Sequence, residues 1–341
     1  MSHSIAHQAR PGHKRSEDGV LRKLRPLFWN QEGRLRAGYR VIVFFLLWGY
    51  GPALVHGVVD RILSLVMAPG GQWSFGIWLD PVRLAVVVGA GWLTAHYIDR
   101  RPFSDYGFQF NRDWWLDLVF GMVLGAALMT AIFLVEWAAG WVAVDSVFYS
   151  NESSVPFGQA LMAPMVLFIV VAVAEELLTR GNHIVNFAEG LHSWGHLPAV
   201  FAAWLLSSVI FGLLHIYNPH TTWVSTANLV LTGFFFGLGF VLTGQLALPI
   251  GLHFSWNLVQ GNVFGFPVSG KVFYATSLVR LEQRGPELWT GGPFGPEAGL
   301  LGILAIMVGM LFTAGWVRWR YGDLSVGRVR LSHCENRLQG R

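Results

Sequence analysis

The sequence predicts an all-α protein, a polytopic membrane helix bundle of about eight transmembrane helices. Three observations carry this. Only 13% of the 341 residues are charged and 53% are hydrophobic, whereas soluble domains carry about 25% charged residues. Sixteen tryptophans suit a chain with many positions at headgroup level, where Trp gathers. Eight apolar stretches approach the roughly 20 residues that span a bilayer. They run at about 40–59, 81–98, 115–136, 159–179, 198–216, 223–243, 246–266 and 298–317.

Ahead of the first stretch lies an arm, 1–39, followed directly by Arg40. Up to that point nine Lys or Arg face Glu17, Asp18 and Glu32. A basic arm can bind nucleic acid, but a positive flank beside a first span is also what the positive-inside rule keeps in the cytoplasm. The second reading is preferred, and no nucleic-acid partner is expected. No apolar core follows closely on the first Met, so a cleaved signal peptide is not expected. His3, His7 and His13 are irregularly spaced and read as part of a disordered terminus. Between the second and third stretches stand Arg100, Arg101 and Arg112, and the tail 318–341 carries Arg318, Arg320, Arg328 and Arg330. Between the third and fourth the charges are Asp145 and Glu152, with no Lys or Arg. This alternation puts both termini in the cytoplasm, with bacterial plasma membrane as the expected location. The stretch 267–296 becomes a long outer loop, although it holds Lys271, Arg280 and Arg284.

The third and sixth stretches contain Gly121/Gly125 and Gly233/Gly237, pairs four apart that let helix backbones approach in lipid. One transmembrane domain, 40–317, without internal repeats, accounts for the chain between its basic flanks. The single cysteine, Cys334, excludes an intramolecular disulfide and a cysteine-built metal site.

Function is announced by charge in the wrong solvent. The fourth stretch reads LMAPMVLFIVVAVAEELLTR, with Glu175, Glu176 and Arg180 near one end. A charge at the centre of a membrane helix costs roughly 2.5–3.5 kcal/mol, and such groups pair or line a cavity. Glu176 and Arg180 are four apart with the acid first, the favoured order, and read as an ion pair giving structural support. Glu175 points about 100° away around the helix and has no local cation, which leaves it free to take a proton from water. His215 lies four residues after Phe211, and Asn257 four after His253. His253 and Asn257 thus offer two donors on one helix face, an arrangement suited to an oxyanion. Buried polar groups on three helices must meet inside the bundle. His56, Arg83, His96 and Glu136, near span ends, read as structural. His183, His192 and His196, in the connection after the fourth span, read as solvated.

These residues also form motifs. Glu175-Glu176-Leu-Leu-Thr-Arg180 fits EExxxR, Phe211-Gly-Leu-Leu-His215 fits FxxxH, and His253-Phe-Ser-Trp-Asn257 fits HxxxN. In this order, each on an expected membrane helix, they resemble the CPBP group of intramembrane proteases. That group is named for CAAX prenyl-protein endopeptidases and bacteriocin-processing proteins, and is also called Abi. The likeness covers a core of about 160–265. It implies an intramembrane endopeptidase acting on a membrane-associated peptide or protein, including prenylated CAAX-type peptides. It further implies that Glu175 and His215 activate water while His253 and Asn257 stabilise the oxyanion. The cofactor is left as none or zinc. Two histidines and one glutamate, His215, His253 and Glu175, match a zinc donor set with an open position, yet the HExxH helix motif is missing. Alternatives are a non-catalytic scaffold or immunity protein of the same family, and a proton-coupled transporter. The latter calls for repeats that the sequence lacks.

One expectation conflicts with the rest. The span assignments put His215 near the outer end of the fifth helix and His253 toward the inner part of the seventh. For the two to meet, helix five must end deep, or the connection 216–222 must dip inward.

Overall fold

In the computed structural model, residues 24–66, 76–151, 155–273 and 276–331 are described. His3, His7, His13, Glu152, Cys334 and the basic residues before Arg25 lie outside them. Helices occupy all eight apolar stretches: α1 (Ala37–Val66), α2 (Gly76–Leu93), α3 (Arg112–Ala138), α4 (Met162–Glu176), α5 (His196–Leu213), α6 (Trp223–Thr243), α7 (Ala247–Leu258) and α8 (Leu300–Tyr321). Local chemistry sets several of their ends. The Asn111 side chain accepts from the Trp114 N–H at the start of α3, and Thr222 with Ser225 forms a capping box at the start of α6. Gly244, at φ 68°, ends α6.

Six helical segments among the described residues are long and apolar enough to cross a membrane. Those built on α1, α3, α4, α5, α6 and α8 qualify. Their outer faces carry Leu54, Val123, Leu134, Leu311 and Phe312, all exposed, as lipid-facing positions require. Helices α2 and α7 are the exceptions. α2, as long as α5 at 18 residues, includes Asp80 and Arg83. α7 has 12 residues, about 18 Å at 1.5 Å per residue, well short of the hydrocarbon thickness. Ten of its residues are buried, so protein rather than lipid surrounds it and its polar side chains carry no lipid penalty.

The close approach that makes this possible is between α3 and α7. A Cβ on Gly121 would sit 2.3 Å from the Leu248 carbonyl oxygen, and one on Gly125 2.3 Å from Ser255 Oγ. The second glycine pair packs α6 on α5: a Cβ on Gly233 would lie 2.9 Å from Ser208 Cα, and one on Gly237 2.4 Å from Trp204 Nε1. Both pairs are packing contacts of the kind small residues permit.

Two features depart from the sequence reading. The bundle is capped at one end by a two-stranded antiparallel sheet, β1 (Val142–Ser150) with β2 (Thr276–Gln283), in a register pairing Val147 with Val279. β2 falls within the stretch expected as loop, because the strands pair across more than 120 residues and neither is apolar enough to stand out alone. At the other end, Arg34, Arg40 and Arg101 are buried, where flank and loop positions were expected. Glu189 accepts from Arg34 at 2.6 Å through one oxygen, and from Arg40 and Arg101 at 2.7 Å through the other. Asp99 accepts from Tyr106 at 2.5 Å and from Asn186 at 2.8 Å. His183 is also buried, at 1% exposure, which corrects its reading as solvated. The segment after α4 stays helical through Gly190 and never leaves the protein, whereas His192 beyond it is exposed.

Candidate active site

The three motifs enter one volume from three helices. Glu175 and Glu176 are the last residues of α4, and a π-helical segment, Leu177–Ile184, carries Arg180 onward. α7 bears His253 and Asn257 and likewise passes into a π-helical segment, Val259–Val263. π turns are rare and frequently accompany functional sites. Phe211 lies in the last turn of α5, and His215 follows in a turn, its N–H returning to the Gly212 carbonyl.

Glu176 is wholly buried. Its Oε1 accepts from Arg180 Nη1 at 2.8 Å and from His253 Nδ1 at 2.8 Å. Arg180 donates further to Thr179 Oγ1 at 2.7 Å and to the Gly233 carbonyl at 3.0 Å. Its guanidinium stands 4.6 Å from the Phe211 ring centre and 5.7 Å from that of Phe236, where the negative ring faces attract it. Glu176 therefore has two partners. It anchors the arginine and also orients a histidine of the third motif.

Glu175, His215, His253 and Asn257 all line one cavity of about 180 Å³. Glu175 is half-buried, and among the described residues neither its side chain nor that of Asn257 has a hydrogen-bond partner. His215 Nδ1 lies 2.9 Å from the Phe211 carbonyl. A carbonyl only accepts, so Nδ1 carries the proton and Nε2 of the neutral ring offers a lone pair. The same logic at His253, whose Nδ1 faces a carboxylate, leaves Nε2 as a donor only in the imidazolium form. The two-donor face expected from sequence thus depends on a charged His253, while Asn257 donates in either case.

The two histidines meet around one ring. Their rings lie 5.1 and 6.2 Å from the ring of Phe211. The expected mismatch disappears because α7 starts beneath a buried turn, with the Leu246 N–H donating to the Gly107 carbonyl at 3.0 Å. Its first residue is already inside the bundle.

Several cavity residues escaped the sequence reading. Arg83 of α2, read as structural, lines the cavity, as do Lys271, Asn218, Ser269 and Glu297. Asn218 Nδ2 donates to the Ser269 carbonyl at 3.0 Å, and the Gly270 N–H to the Phe294 carbonyl at 2.8 Å. Gly270 has φ 80°, and a Cβ there would lie 2.0 Å from the Pro219 carbonyl oxygen, so glycine is required at this crossing. Glu297 accepts from the Ser269 N–H at 2.5 Å and from its hydroxyl at 3.0 Å. Burial pushes its carboxyl up to about 7, against the opposing pull of the Ser269 N–H. A lone acid just ahead of the last apolar stretch gives no periodic or motif signal. Phe211 did carry one, since it opens FxxxH, but its place over Arg180 depends on how α5 packs.

Among the described residues no three His, Cys, Asp or Glu side chains are grouped so that they could hold a metal ion. Both histidines have the backing hydrogen bond typical of metal ligands.

No curated protein and no solved structure matches the chain. Residues 157–259 match the family described as type II CAAX prenyl endopeptidase Rce1-like. That segment runs from just before α4 to just past α7 and contains all three motifs, in agreement with the CPBP resemblance. Over this segment the chain is similar to that family, which supports a CAAX-type intramembrane protease in general.

Proposed function

We propose that the protein hydrolyses a peptide bond of a membrane-associated substrate with water activated by Glu175 and His215, without a metal. One observation carries this reading. Glu175 and His215 Nε2 face the same cavity as Asn257, while the second carboxylate, Glu176, is closed off behind it by Arg180 and His253. Glu175 takes a proton from water, and His215 Nε2 accepts the other water hydrogen and orients it. The hydroxide adds to the scissile carbonyl carbon, whose π electrons move onto oxygen. The Asn257 amide and the imidazolium of His253 donate to that oxyanion. Glu176 stabilises the imidazolium by accepting from Nδ1. When the tetrahedral adduct collapses, the proton held by Glu175 passes to the leaving nitrogen and the C–N bond breaks.

The test uses purified wild type, Glu175→Ala and His215→Ala on a prenylated peptide and on single-span membrane peptides, with and without a chelator. Cleavage by wild type alone, unaffected by chelator, is expected. Equal cleavage by Glu175→Ala, or by no protein at all, defeats the mechanism. Loss of activity with chelator overturns its metal-free part.

A further inference from the structure

The cavity mouth and the arginine cluster on Glu189 lie at opposite ends of the bundle. The ladder of contacts that fixes the cationic end runs through Arg34, Arg40 and Arg101 on Glu189. It continues through Arg320 on Asp113 at 2.5 Å and Arg328 on the Leu242 carbonyl at 2.9 Å. α5 starts at this end, where His196 meets the Val326 carbonyl at 3.4 Å, and runs away from it toward His215. α8 provides a ruler between the ends. Glu297 lines the cavity three residues before its first turn, and Arg318 and Arg320 stand in its last turn. Its 22 residues span about 33 Å, which matches the hydrocarbon thickness. The loops that form the cavity mouth, around Asn218 and Ser269–Lys271, belong to the end that carries the sheet.

Charge then orients the molecule. Of the 24 Lys and Arg in the chain, 18 lie up to Arg40, at Arg100, Arg101 and Arg112, or from Arg318 onward. The opposite end has five, Arg61, Arg83, Lys271, Arg280 and Arg284. Segments rich in Lys and Arg next to spans stay in the cytoplasm. We infer that the catalytic cavity opens on the non-cytoplasmic face, so that its substrate is a translocated or membrane-inserted polypeptide presenting its scissile segment from that side. A lipid-modified tail held at the cytoplasmic leaflet meets the wrong end of the bundle. The inference rests on the reading of this cavity as the hydrolytic site.

The chain's sole cysteine, Cys334, lies in the tail and serves as an internal marker. Tyr217 is 96% exposed beside the mouth, and Lys271 is exposed on its rim. In spheroplasts, Tyr217→Cys and Lys271→Cys, each with Cys334→Ser, are treated with a membrane-impermeant maleimide alongside the wild-type chain. Expected is labelling of both introduced cysteines in intact spheroplasts, and of Cys334 only after permeabilisation. Labelling of the mouth cysteines only after permeabilisation, or of Cys334 before it, overturns the inference. Two mouth positions guard against one variant misfolding. Accessibility is independent of turnover, so a hydrolytic mechanism defeated by an active Glu175→Gln leaves the labelling result to stand, and the converse also holds.

Discussion

Carboxylates are buried beside arginines at two places in this molecule, and they are completed differently. At the cationic end Glu189 uses both oxygens on three arginines, and Asp99 is held by Tyr106 and Asn186. Around the cavity Glu176 is held by Arg180 and His253, while its neighbour Glu175 faces open space. Burial of charge alone therefore does not mark function here. What separates the regions is access to the cavity. Glu189, Asp99 and Glu176 stand back from it, although Asp99 Oδ1 and Glu176 Oε2 accept no hydrogen bond among the described residues, whereas Glu175 lines it. A closed set fixes the fold; a carboxylate, an imidazole nitrogen and an amide left open toward one cavity await something that enters it.

Breaking the open region has the largest expected effect. Glu175→Gln keeps the shape and removes the base, so kcat falls by about 10³-fold, within the range for general-base catalysis. The unfolding midpoint in detergent stays close to wild type, because no partner of Glu175 is lost. A variant that unfolds early, or one that retains turnover, removes Glu175 from the open set.

The closed region gives the mirror image. Glu189→Gln leaves Arg34 with Glu32, and Arg40 and Arg101 with Asp99, as the remaining counter-charges, and breaking a buried pair costs about 3–5 kcal/mol. Denaturant unfolding in detergent is expected to show that loss, while turnover per folded molecule is preserved. A collapse of turnover at unchanged stability contradicts the division between the two regions.

Glu297 lies between these extremes, buried but hydrogen-bonded to Ser269 and Gln260, without an arginine beside it among the described residues. Its carboxyl is raised from 4.5 to about 7 by burial, so the folded protein holds a proton that the unfolded chain releases. A raised carboxyl contributes stability in full below about 4.5 and loses it as pH rises to about 7; the span is worth up to about 3 kcal/mol. Unfolding midpoints measured between these pH values should fall with rising pH in wild type and stay flatter in Glu297→Gln. Identical slopes show that Glu297 is solvated, and so place it outside the enclosed wall.

The contrast between the regions also decides what was legible in sequence. All eight helices were readable as apolar runs, which lipid demands of the six that can span it and the protein interior demands of α7. Glu175, Glu176, Arg180, His215, His253 and Asn257 were readable because charge within such runs is expensive and recurs at helical spacing. The Glu189 cluster was not, since Arg34, Arg40 and Arg101 lie outside the runs, where Lys and Arg are ordinary. Its closure depends on three segments far apart in the chain. The pairing of β1 with β2, the recessed start of α7 and the placement of Arg83 on the cavity are likewise tertiary outcomes without a local period. His183 was misread because the segment after α4 looked like a polar connection, although a π turn carries it onward inside the protein.

The smallest effect tests how the two carboxylates are kept apart. Phe211 has two distinct contacts: its carbonyl accepts from His215 Nδ1, and its ring stands over Arg180. Phe211→Leu removes the ring and keeps the carbonyl. A partly desolvated cation–ring contact is worth about 1–2 kcal/mol, and leucine recovers some of the packing. Stability should therefore fall by about 1 kcal/mol, with turnover lowered only a few-fold, because the tautomer of His215 is still set by the backbone. If turnover instead falls as far as in Glu175→Gln, the ring itself holds Arg180 on Glu176. The closed pair behind the cavity would then depend on an aromatic face as much as on charge.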